Sequence, residues 1–222
     1  MKQALAAILN WSEIWALIIP LFVLLLRKKQ PDYMRPVILY LGVALLLNIA
    51  GDYIEQFNKN HHSFSLSNNP IYNLHSVIRF ACFSYFFILL RQPFFTGVKK
   101  LIPLVYVFFV LIDFVFFENF FNGEHLSGTL LATEAYLLLI YCLLYYLSRL
   151  REEVKGMKNA KDFWVVTGLA IYVVANFFVF LFYVPMIKEN PQLANNMWDI
   201  HNVAYIFLCI FISKAFYVPV AN

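Results

Sequence analysis

The stretch FWVVTGLAIYVVANFFVFLFYVPMI, from Phe163 to Ile187, contains no charged residue. A bilayer core about 30 Å thick needs about 20 helical residues, and this run exceeds that. A helix on the surface of a soluble domain would show a polar face, yet Thr167 and Asn176 are almost the only polar interruptions here. Lipid admits only helices and closed barrels, because every backbone amide must bond internally. Barrel strands alternate in polarity over about ten residues, and no such alternation is present. The stretch therefore reads as a membrane-spanning helix.

Working outward, six further apolar runs have comparable length. The seven expected spans lie near Ala4–Leu26, Pro36–Ile54, Ile71–Leu90, Leu101–Phe117, Ser127–Leu147, Phe163–Met186 and Met197–Tyr217. Glu13 and Asp113 interrupt the first and fourth, which are the least regular. Pro20, Pro103 and Pro185 are expected to kink their helices or mark their ends. Composition agrees: 62% of the 222 residues are hydrophobic and 14% charged, against about 45–50% and about 25% in soluble domains. The fold class expected is all-α, a polytopic seven-transmembrane-helix bundle forming one domain over residues 1–222. The apolar run at the N-terminus is broken by Asn10, Ser12 and Glu13 with no small-residue cleavage site, so it reads as a retained span rather than a signal peptide.

Orientation follows from the cations. The odd-numbered connections carry Arg27, Lys28, Lys29 and Arg35, then Arg91, Lys99 and Lys100, then Arg149, Arg151, Lys155, Lys158 and Lys161. These are 12 of the 17 basic residues, and the even-numbered connections hold only Lys59 and Lys188. Cytoplasmic loops concentrate Lys and Arg, which places the N-terminus outside and the C-terminus inside, with Lys2 dissenting. A plasma (inner) membrane location follows. The net charge of +4 then reports topology and gives no sign of a nucleic-acid partner. The Ser148–Asp162 connection reads as a solvated loop facing anionic lipid, or as a docking surface for a cytoplasmic signalling partner. Cys82, Cys142 and Cys209 all fall in apolar runs without metal or disulfide spacing.

Polar residues inside spans carry the functional information, because a charge at membrane depth costs on the order of 2.5–3.5 kcal/mol. With a rise of about 1.5 Å per residue, Glu13 falls roughly 12 Å below the outer surface. Asn48, Arg79, Asp113 and Glu134 fall at similar depth. His75, Asp52, His201 and Asn202 are shallower and Asn176 deeper. Every span contributes to this layer, whereas the inner halves are apolar and aromatic. The pattern suggests an outward-facing polar pocket with these ten residues as candidate ligand contacts. His75 and Arg79 are four apart on one helix face, as are Asn48 and Asp52, Tyr172 and Asn176, and His201 and Tyr205.

Arg79 needs a carboxylate at that depth, and Glu13, Asp113 and Glu134 are the candidates. It would either lock the helices together or hold an anionic ligand. His75 and His201 read as hydrogen-bonded interior histidines; as metal ligands they would need Asp52, Asp113 or Asp199. The paired-histidine spacing of a zinc site is absent, so no metal and no cofactor are expected. His61, His62 and His125 fall in loops. The only lysine of the last span is Lys214, near its cytoplasmic end, which argues against a retinal Schiff base of the rhodopsin kind. Hydrolases of the ceramidase and progestin-receptor-like type use a paired-histidine motif in the last helix, where this chain has Asp199-Ile200-His201-Asn202.

The segments Asn68-Asn69-Pro70-Ile71-Tyr72-Asn73-Leu74-His75 and Trp198-Asp199-Ile200-His201-Asn202 resemble a group of small, uncharacterised bacterial seven-helix membrane proteins. The resemblance implies a membrane location and a helix bundle, and no particular activity. The expected function is a membrane sensor or receptor-like module binding a small polar or lipid-derived ligand. A metal-dependent intramembrane hydrolase, a small-solute transporter and a structural subunit are the alternatives. No internal repeat supports an inverted-repeat transporter.

Overall fold

Long apolar runs leave the backbone no partner but itself, and helices result. The computed structural model describes residues 8–60, 67–90, 92, 95–117, 126–151 and 160–219. His61, His62, His125, Arg91 and the 152–159 part of the fifth connection lie outside them. Among the described residues no strand occurs. The main helices are α1 (Ser12–Leu26), α2 (Arg35–Asn60), α3 (Asn69–Leu89), α4 (Thr96–Ile112), α5 (Gly128–Arg151), α6 (Lys161–Glu189) and α7 (Pro191–Tyr217). A 3₁₀ turn, Asp32–Met34, precedes α2, and a π-helical turn, Asp113–Phe117, extends α4.

Five helices, α2, α3, α5, α6 and α7, are long and apolar enough to cross a membrane. α1 has 15 residues and α4 has 17, so the two runs interrupted by Glu13 and Asp113 give the two shortest helices. Pro20, Pro103 and Pro185 all lie inside helices rather than at their ends.

Two helices outrun their apolar cores. α2 continues through Glu55-Gln56-Phe57 to Asn60, beyond the expected end at Ile54. Hydropathy stops there, but the hydrogen-bond ladder does not. α7 begins at Pro191, earlier than the expected Met197. Asn190 explains this: its side chain accepts from the Leu193 amide at 3.1 Å, and Pro191 occupies the first turn, where no amide donor is needed.

α1, α2, α3, α5, α6 and α7 close a ring in that order, and α4 packs outside against α3 and α5. The tightest pair is α6 with α7. A Cβ on Gly168 would stand 2.5 Å from the Cβ of Phe211, so only glycine allows this approach. Small residues serve this purpose where lipid supplies no hydrophobic drive between helices. The exterior is apolar on all sides, with Phe22, Leu46, Phe108, Leu143, Phe178 and Phe207 exposed. Soluble monomers rarely expose contiguous apolar surface on this scale.

The interior has two apolar clusters. The larger contains Phe83, Phe87, Leu138, Tyr141, Leu169, Leu208 and Ile212. The smaller contains Leu126, Leu131, Ala132, Val179 and Phe180, with Tyr72, Tyr183, Met197 and Trp198 against it. Along α6, Asn176 falls between Val173 of the first cluster and Val179 of the second. On α5, Glu134 likewise separates Leu131 from Leu137.

Candidate functional site

At this boundary Arg79 meets Glu134. Nε and Nη2 donate to the two carboxylate oxygens at 2.5 and 2.7 Å. The planar fork of Arg fits a carboxylate in this two-point way. Ser76, one turn before Arg79 on the same face of α3, donates to Glu134 at 2.6 Å. The Arg79 guanidinium also lies 5.1 Å from the Tyr172 ring centre. All four side chains are buried. Ser76 and Tyr172 complete the arrangement, and the three-residue spacing from Ser76 to Arg79 was the readable signal for the serine.

A second set surrounds His201. Its Nδ1 is 2.5 Å from Asn176 Oδ1, while the Asn176 amide donates to the Tyr172 carbonyl at 2.8 Å. That donation orients the amide so that its oxygen faces the ring, and Nδ1 then carries the proton. His201 Nε2 lies 3.3 Å from Glu13 Oε1, within ion-pair distance but outside hydrogen-bond geometry. Tyr72 donates to the other Glu13 oxygen at 3.5 Å, and Asn48 donates to the Glu13 backbone carbonyl at 2.7 Å. His75 is buried and stacks on Tyr40 with ring centres 5.8 Å apart.

The ten expected residues therefore divide. Glu13, Asn48, Arg79, Glu134, Asn176 and His201 form two adjoining bonded sets, with His75 beside them. Asp52 is half-buried one turn beyond Asn48. Asp113 is buried at the start of the π-helical turn on the peripheral α4. Asn202 is buried next to His201. Of the three carboxylates considered for Arg79, Glu134 takes both oxygens to it.

The layer encloses little space. The cavity bordered by Glu13, His75, Arg79, His201 and Tyr205 measures about 10 Å³. That is about one water molecule. A cleft of about 1530 Å³ lies above it, and none of the ten expected residues lines it. Its walls come from the first turns of α3, α5 and α7 and the last turns of α2 and α6. Tyr72, Phe180 and Trp198 line both spaces, so a single layer of aromatic rings separates them. Trp198 stands at the centre of that layer. Its ring centre is 5.5 Å from Tyr72, 5.1 Å from Tyr183 and 5.0 Å from His201.

The opposite, basic end is also built. The Lys99 amine donates to the Phe87 and Leu90 carbonyls at 3.0 and 2.9 Å, closing the end of α3. Lys161 donates to Ala215 and Phe216 carbonyls on α7 and to Gln30. Arg149 pairs with Asp162, which also accepts from Tyr145 at 3.0 Å. The Ser148–Asp162 connection was expected to be solvated, but Lys161 and Asp162 are buried. These residues lie within reach of unpaired helix-end carbonyls and of each other, and burial follows. Comparison of the chain with family models, with curated proteins and with solved structures finds no match.

Proposed function

We propose that the chain crosses the plasma (inner) membrane seven times, N-terminus outside, and acts as a receptor-like sensor. It is a protein of the small bacterial type that Asn68–His75 and Trp198–Asn202 resemble. A small polar or lipid-derived ligand enters the cleft, and a cytoplasmic partner reads the helix movement at the basic end. The observation that carries this reading is the aromatic layer shared by the cleft and the polar cavity. A molecule lodged in the cleft bears on Trp198, and Trp198 bears on His201. His201 in turn touches α1 and α6 through Glu13 and Asn176. A ligand that prefers one arrangement of these helices shifts the population toward it. The concentration of cations at the opposite end supports the orientation.

The rival supported by a specific observation is a structural subunit, since Glu134 already engages Arg79. One experiment separates the two. Ala132 lines the cleft and is almost fully buried, so Ala132→Trp obstructs it. Thermal unfolding in nanodiscs is followed while fractions of small-molecule cell extract are added. A sensor shows saturable stabilisation that Ala132→Trp abolishes. Absence of stabilisation, or equal stabilisation of both proteins, supports the structural reading.

A further inference from the structure

We propose that the cleft recognises an organic ammonium group, seated on the Trp198 aromatic layer above Glu13. The inference rests on the sensor reading and supplies its ligand class. Arg79 cannot lead in recognising an anion, because Nε and Nη2 are both committed to Glu134. Glu13 is the carboxylate that borders the small cavity, with Tyr72 and His201 as its neighbours. Tyr72 is also a wall of the cleft. The charged residues lining the cleft itself are Glu55, Asp199 and the exposed Lys188. Acidic groups thus lie at the rim and beneath the floor.

The floor has the geometry a cation favours. The rings of Tyr72, Phe180 and Tyr183 meet the Trp198 ring at 89°, 67° and 41° respectively. Tyr72, Tyr183 and Trp198 are each partly exposed where they line the cleft, whereas Phe180 is buried. Ring faces attract cations, and aromatic cages bind quaternary ammonium groups in this way. The amides of Asn68, Asn69 and Asn73 line the cleft beside this floor and would hold a polar remainder of the ligand. The ammonium can belong to a free small molecule or to a lipid headgroup.

The test compares choline with its neutral isostere 3,3-dimethylbutan-1-ol, using thermal unfolding and tryptophan fluorescence. The wild-type chain is held in phosphatidylglycerol nanodiscs at constant ionic strength. Saturable stabilisation by choline is expected, at least about tenfold tighter than by the isostere. It should be lost in Trp198→Leu, kept in Trp198→Phe and weakened in Glu13→Gln. Phosphatidylcholine added to the nanodiscs is the second arm. If it stabilises and free choline does not, the ammonium is that of a lipid; if free choline does, it is that of a solute. Equal binding of choline and isostere overturns the ammonium assignment and leaves the sensor reading intact. A response to neither, and none to phosphatidylcholine, overturns the assignment; failure of the extract experiment as well removes the sensor reading. The comparison on wild-type protein stands even if Glu13→Gln fails to fold.

Discussion

Arg79 on α3 and Glu134 on α5 form a two-point ion pair, 55 positions apart in sequence, at the junction of two apolar clusters. A guanidinium cannot shed its charge, and burial makes an unpaired one costly. The pair fixes the rotation of two helices about their axes, because both oxygens must face both donors.

Removing one partner of a buried pair typically costs about 3–5 kcal/mol, whereas replacing both with apolar groups is often close to neutral. Arg79→Leu and Glu134→Leu should each lower the unfolding temperature in detergent. The double variant should recover most of the loss. Neutralising Glu13 or Asp113 in the Arg79→Leu background should bring no recovery. Rescue by either would assign the pair to the wrong carboxylate.

Gly168 permits the close contact of α6 with α7. Gly168→Ala should cost about 1–3 kcal/mol, the usual range for overpacking. In a Phe211→Gly background, where the obstructing Cβ is gone, Gly168→Ala should cost less, whereas Phe211→Ala keeps that atom and should bring little relief. Unchanged thermal stability of Gly168→Ala would mean that the helices separate at no cost.

Lys161 ties the start of α6 to the end of α7 through the carbonyls of Ala215 and Phe216. Lys161→Met keeps the aliphatic stem and removes the donor. It should destabilise by about 1–3 kcal/mol, as expected when buried acceptors lose a charged partner. Limited proteolysis should then cut sooner near Tyr217. Digestion at the wild-type rate would show that this tie holds nothing.

Topology is testable with a reporter active only in the cytoplasm. Fused after Asn222 it should give signal; inserted in the 59–69 segment it should not. The reverse pattern would turn the cleft toward the cytoplasm.

Helix content, the apolar exterior and the basic end were legible along the chain, because hydropathy and loop charge are local sums over neighbouring residues. The shortness of the helices formed by the first and fourth apolar runs was legible for the same reason. So was the presence of a polar layer, since each of its members is costly wherever its helix turns. Which members bond was decided by tertiary structure. Glu13, Asp113 and Glu134 look alike at equal depth, and only the rotations of α1, α4 and α5 bring one of them to Arg79. The cleft escaped the sequence for a related reason. It is a space between helix ends, lined by residues such as Asn73, Ala132 and Trp198, whose individual burial gives no sign of a common wall. Burial of Lys161 and Asp162 was likewise invisible, because a charge beside helix-end carbonyls and one in solvent read identically until the ends of α6 and α7 meet.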